Sequence, residues 1–214
     1  MKSVLSLLNR AHDLLDKTKS VEFFAPLLLR LYLAPIFIAV GLHKAQNFDG
    51  IVYWFEHSLA LPAPELMAFL ATSAEIGGGF ALLLGVAVRW AAIPLMITML
   101  VAAFSAHWDN GWFAIAPSDP DTSVAKVTAA VGFPGAQESL ENSKQVATRL
   151  GKAKDILREH GNYSWLTEKG SFVVLNNGIE FAATYFIMLL SLFFTGAGRY
   201  TSVDYWIAKQ FRAP

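Results

Sequence analysis

Three ionisable residues stand well inside stretches that are otherwise apolar. Arg30 lies in FFAPLLLRLYLAPIFIAVGLHK, Glu75 in ELMAFLATSAEIGGGFALLLGVAV and Glu180 in SFVVLNNGIEFAATYFIMLLSLFFT. A charge at the centre of a membrane helix costs about 2.5–3.5 kcal/mol on insertion scales. Charges of both signs at similar depth therefore imply a polar cluster shared between helices. Arg30 is offset from the centre of its stretch by about four residues, roughly 6 Å of helix, a gap that an extended Arg side chain largely covers. Two chemistries suit such a cluster. An Arg–Glu salt bridge would lock the helices together, because a buried charge needs a partner. A surplus carboxylate would relay protons or hydrogen-bond a ligand. The two uses are compatible. Asn176 and Asn177, one turn before Glu180, add donors, so the expected polar core is Arg30, Glu75, Glu180 and Asn177.

A second group lies where the first and third apolar stretches end. Those helices run in the same direction, so His43 and His107 reach similar height, among Lys44, Gln46, Asn47, Trp108, Asp109 and Asn110. Imidazole and ammonium donors suit the carbonyls of a quinone headgroup, and imidazole is a common metal ligand. No third ligand is spaced to complete a metal site, so none is expected. The alternative is a pair of interfacial histidines beside a Trp in the aromatic belt. His12, His57 and His160 are isolated and read as solvated.

The elements that position these residues follow from composition and periodicity. Of the 214 residues, 54% are hydrophobic and 16% charged, and the mean hydropathy is +0.41. Soluble domains average roughly 45–50% apolar and about 25% charged, so the balance leans towards membrane. A net charge of zero argues against nucleic-acid binding. Cysteine is absent, which removes disulfides, thiol redox chemistry and thiolate metal sites. Spans are expected at about 23–44, 65–88, 91–107 and 171–195, each near the roughly 20 residues that a bilayer core demands. Four spans cannot close a barrel, so the fold class is all-α: an integral membrane four-helix bundle.

Residues 1–20 lack a signal-peptide core and cleavage site. Val4, Leu7, Leu8, Ala11, Leu14 and Leu15 recur at helical spacing against Lys2, Arg10, Lys17 and Lys19, so this segment reads as an interfacial amphipathic helix or as one packed on the bundle. The insertion 108–170 exceeds ordinary helix connections. It reads as a partly helical extramembrane cap, with an amphipathic helix from Ser139 to Glu159 stopped at Gly161. Basic residues collect on the side of both termini and of Arg89, whereas the first connection offers only Lys44, so both termini are expected in the cytoplasm. Gly41, Gly77, Gly78, Gly79 and Gly85 mark close helix approach and make the second span central.

The stretches RLYLAPIFIAVGLHKAQNF, LPAPELMAFLATSAEIGGGFALLLGVAVRWAAIPLMITMLVAAF and HWDNGW together resemble the DoxX family of small four-helix membrane proteins. The resemblance rests on Arg30, on Gly41 with Lys44, on Glu75 with Gly78 and Gly79, on Leu84, Gly85 and Arg89, and on His107. It covers about residues 25–118 well and the fourth span loosely, and the long cap departs from the compact family pattern. It implies a bacterial inner-membrane component of redox or metal handling, often partnered by a soluble enzyme. The leading expectation is the membrane subunit of a quinone-linked redox system, with His43, Lys44, His107 and Trp108 near the ligand entrance and quinone as its cofactor or substrate. A non-catalytic scaffold or carrier in a metal- or modified-peptide pathway is the alternative, and a transporter, which would need homo-oligomerisation, comes third. Expected partners are the lipid bilayer and a soluble redox or biosynthetic protein.

Overall fold

Proline and glycine set most of the helix boundaries. The computed structural model describes residues 9, 12–119, 121, 123–133 and 135–211. The amphipathic helix expected over residues 1–20 falls largely outside the described residues; residues 12–17 are helical, and Thr18–Val21 forms a 3-10 turn. Helix α1 runs Phe24–Gln46 and α2 Phe48–His57, with Asn47 as the joint between them. Helix α3, Pro64–Leu84, starts on a proline, which suits a first-turn position whose N–H has no partner. It ends at Gly85 with φ +69°, where Gly85 N donates to Leu82 O and Val86 N to Ala81 O. That paired closure needs a left-handed residue, the conformation glycine adopts without strain. Helix α4 runs Val88–Val101 and continues through a π-turn at Ala102–Ala106.

α1, α3 and the 19 residues of α4 with its π-turn are each long and apolar enough to cross a membrane. Among the described residues these are three, and the fourth expected span holds a shorter apolar helix. The fourth apolar stretch is helical only from Glu180 to Thr195, the 16 residues of helix α8. At 1.5 Å per residue this spans about 24 Å, short of a hydrocarbon core of about 30 Å. Residues 171–178 form no helix, and Leu175 pairs with Ile115 in an isolated antiparallel bridge. Asn176, Asn177 and Gly178 explain the break: Asn177 has φ +56°, and the segment's N–H groups bond to another chain segment rather than to a helical turn.

The chain divides into two compact units, one formed by the segments up to Met99 and from Tyr185 onward, the other by Leu100–Thr184. The first has a single apolar core. α1 supplies Leu33, Ala34 and Phe37, α3 Leu82, α4 Val88, Ala92 and Leu95, and α8 Leu189 and Leu192. Large apolar side chains also point outward, among them Leu28, Tyr32, Phe69, Phe80, Leu84, Trp90 and Phe194. An apolar exterior around an apolar core is the pattern of a lipid-facing protein.

The second unit carries α5 (Val124–Ala130), α6 (Ala136–His160) and α7 (Tyr163–Leu166). Ser123 caps α5 by accepting from Ala125 N, and Asn162 caps α7 by accepting from Trp165 N. α6 is longer than the expected Ser139–Glu159, and Gly161 at its end is extended, so left-handed freedom is not what stops it. The hydrogen bond from Lys126 to Asp121, at 2.8 Å, holds the Asp121 carboxyl below the usual carboxylate range. Last in the chain, and in the first unit, α9 runs Val203–Phe211.

Candidate functional site

Arg30 is 1% exposed, and its guanidinium is spent on backbone carbonyls. Nε donates to Leu82 O at 2.7 Å, Nη1 to Ala197 O at 2.6 Å, and Nη2 to Leu83 O at 3.2 Å. Both terminal nitrogens also reach Thr201 O, at 3.4 and 3.3 Å. Leu82 and Leu83 belong to the last turn of α3, whose carbonyls have no intrahelical partner and carry the negative end of the helix dipole. The expected Arg–Glu bridge is therefore corrected: the compensating charge is the C-terminus of α3 and the chain after α8. Asp204 adds a Coulomb attraction. Asp204 also receives Ala87 N and Val88 N at 2.7 and 3.0 Å and so caps α4. Arg89 donates to Phe193 O at 2.8 Å, one turn from the end of α8. A Cβ on Gly85 would lie 2.6 Å from Arg30 Cζ, so the knot requires glycine there.

The two carboxylates of the expected polar core are engaged elsewhere. Glu75, whose side chain is 3% exposed, accepts from Lys44 Nζ at 2.6 Å, joining α3 to the end of α1. The helices can approach because a Cβ on Gly41 would meet Ile76 Cγ1 at 2.7 Å, and one on Gly79 would meet Ile38 Cγ1 at 2.7 Å. Glu75 Oε2 and Thr72 Oγ1, one turn apart on the same face of α3, are buried and have no hydrogen-bond partner. A buried polar atom without a partner costs about 1–3 kcal/mol. Two of them beside the Lys44–Glu75 pair leave unused hydrogen-bonding capacity at this position.

Glu180 and Asn177 belong to a separate constellation in the second unit. Glu180 Oε2 accepts from Ala114 N at 2.9 Å. Asn177 is exposed, and its carbonyl accepts from His107 Nδ1 at 2.8 Å and from Asn110 Nδ2 at 3.2 Å. Gly178, Ile179 and Glu180 donate their N–H groups to Phe113 O, Gly111 O and Trp112 O, which satisfies the start of α8. Three carbonyls crowd the position of a Cβ on Gly178, at 2.5–2.7 Å. HWDNGW is thus a clasp for α8, in which His107 Nδ1 donates to a carbonyl. His43 and Trp108 are both exposed. No group of three or more His, Cys, Asp or Glu among the described residues is arranged to hold a metal ion.

Residues 25–108 match the DoxX family model. That stretch is similar to the DoxX family and covers 84 of the 214 residues. No curated protein and no solved structure matches the chain significantly. The matched stretch contains Arg30, Lys44, Thr72, Glu75, Gly85, Arg89 and His107, and with them the Lys44–Glu75 pair and part of the α3 terminal knot. Asp204, Ala197 and Thr201, which complete the knot, lie outside it. The sequence marks out Lys44 and Glu75 singly but not their pairing, and sequence reasoning passes over Thr72. Thr72 stands one turn before Glu75 on the same helical face, and that spacing is its available signal.

Proposed function

We propose that this DoxX-like protein is the membrane subunit of a quinone-linked redox system, with its headgroup site at Lys44, Glu75 and Thr72. The observation that carries this reading is the part-buried Lys44–Glu75 pair with Glu75 Oε2 and Thr72 Oγ1 left to take a ligand. A purely structural ion pair is stable when its remaining lone pairs are satisfied as well; this one is half satisfied. Buried intramembrane charges commonly mark substrate or proton sites. α1, α3, α4 and α8 form a four-helix bundle in a bacterial inner membrane. Both termini are cytoplasmic, following the Lys and Arg distribution. His43 takes the role of an entrance rather than of the headgroup site, and a soluble redox protein supplies the electrons.

A scaffold or carrier role is the second reading, and it draws on Arg30 and His107, both of which bond backbone carbonyls. Extraction in mild detergent followed by mass spectrometry of bound small molecules separates the two. Quinone retained by the wild type and by His43→Ala and His107→Ala, but lost from Glu75→Gln, supports the redox subunit. Absence of quinone from every preparation leaves the scaffold. Orientation is tested by cysteines at Gln210 and Asn142, both exposed. In intact spheroplasts an impermeant thiol reagent should spare the first and label the second.

A further inference from the structure

Threonines in this protein normally turn their hydroxyl onto the preceding helical turn. Thr98 donates to Leu95 O, Thr128 to Val124 O, Thr148 to Lys144 O, Thr167 to Tyr163 O and Thr195 to Ser191 O. Thr72, in mid-α3 and 6% exposed, does not: its Oγ1 has no partner. One turn further on, Glu75 Oε2 is buried and open, while Oε1 holds Lys44 Nζ at 2.6 Å. The cradle therefore offers a hydroxyl that donates or accepts, a carboxylate oxygen that accepts, and ammonium hydrogens beyond the one used.

Charge and valence restrict what fits. Lys44 and Glu75 already neutralise one another, so an ion entering beside them would bring an uncompensated charge into an apolar bundle. Oε2 requires a donor, and Thr72 Oγ1 is content with an acceptor. A hydroxyl supplies both from one atom, whereas a carbonyl accepts only and would leave Oε2 unpaired. Ala68, Gly78 and Gly79, buried on the same helix, offer no polar side chain, so the hydroxyl must be carried on an apolar body.

We propose that Thr72, Glu75 and Lys44 bind the hydroxyl of an uncharged amphiphile, either a quinol or a neutral glyceride, in preference to a carbonyl headgroup. This rests on the headgroup site proposed above and adds the chemical form that it selects. The test uses the full chain in phosphatidylcholine nanodiscs, with empty discs as the blank. Calorimetric titrations compare decylubiquinol (kept reduced under anaerobic conditions), decylubiquinone and dioctanoylglycerol. The quinol should bind about tenfold more tightly than the quinone, the size of one net hydrogen bond to a charged acceptor. Thr72→Val, which replaces hydroxyl by methyl at equal volume, and Glu75→Gln, which removes the charged acceptor and unpairs Lys44, should each weaken quinol binding. Dioctanoylglycerol binding more tightly than quinol would support the hydroxyl site while assigning it to a lipid and removing the redox reading. Equal or tighter quinone binding by the wild type would overturn the hydroxyl preference but keep the headgroup site, and this comparison needs neither variant to fold. Failure of all three ligands to bind the wild type would overturn both.

Discussion

Arg30→Ala removes a guanidinium that closes the ends of two chain segments. The two shortest bonds, to Leu82 O at 2.7 Å and Ala197 O at 2.6 Å, involve a charged donor. Such bonds are worth about 1.5–3 kcal/mol each. Their sum of about 3–6 kcal/mol is offset in part, because the variant no longer buries a charge. A net loss of about 3 kcal/mol is expected. Arg30→Lys keeps the charge but not the planar fork that reaches Leu82, Leu83, Ala197 and Thr201 together, so it should lose about half as much. Because the partners are carbonyls, Glu75→Gln should not rescue Arg30→Ala: the double-mutant coupling should stay within about 0.5 kcal/mol, as for independent sites. Unfolding in mixed micelles, followed by circular dichroism, measures all five proteins: the wild type, Arg30→Ala, Arg30→Lys, Glu75→Gln and the Arg30→Ala/Glu75→Gln double variant. Wild-type stability in Arg30→Ala, or recovery on adding Glu75→Gln, would refute the carbonyl knot and restore an Arg–Glu pair.

Other substitutions probe neighbouring parts of the account by the same unfolding assay. Lys44→Met strands the buried Glu75 carboxylate and should cost about 3–5 kcal/mol, most of it recovered in the Lys44→Met/Glu75→Leu double variant. Gly85→Ala places a Cβ 2.6 Å from Arg30 Cζ at φ +69° and should destabilise strongly. Gly77→Ala, where a Cβ meets nothing within 4 Å, should be neutral or gain about 0.5–1 kcal/mol. Gly178→Ala, pressed against the carbonyls of Gly111, Trp112 and Phe113, should raise protease sensitivity within residues 100–184, whereas His107→Ala should cost only about 1 kcal/mol.

Long apolar runs make α1, α3 and α4 legible, because period and length together leave no other element that fits. The fourth run shows the limit of that signal. Hydropathy alone does not separate an extended apolar segment from a helix, and Asn176-Asn177-Gly178 bonds to residues 110–114 instead of continuing a helix. Helix α2 hides within what reads as a short connection, although Phe48, Ile51, Val52 and Phe55 stand at helical spacing and Phe55 is buried. The position of Arg30 announces that it needs a partner, but composition shows carboxylates and hides carbonyls. That helix α3 would end beside Arg30, and that Asp204 would cap α4 across more than 100 residues of chain, are tertiary facts with no local trace. Lys44 and Glu75 fall into separate groups by sequence because depth along each span is the only coordinate it offers, and the small residues that bring α1 against α3 move them together.

Photolabelling tests the central claim most directly. An azido-quinone, activated in nanodiscs holding the full chain and mapped by peptide mass spectrometry, reports where a headgroup rests. Modification on α1 near Gly41–Lys44 and on α3 near Thr72–Ile76, competed by unlabelled quinol and lost in Glu75→Gln, is the expected result. Labelling confined to other segments, or unchanged in Glu75→Gln, would contradict a headgroup site at Lys44, Thr72 and Glu75.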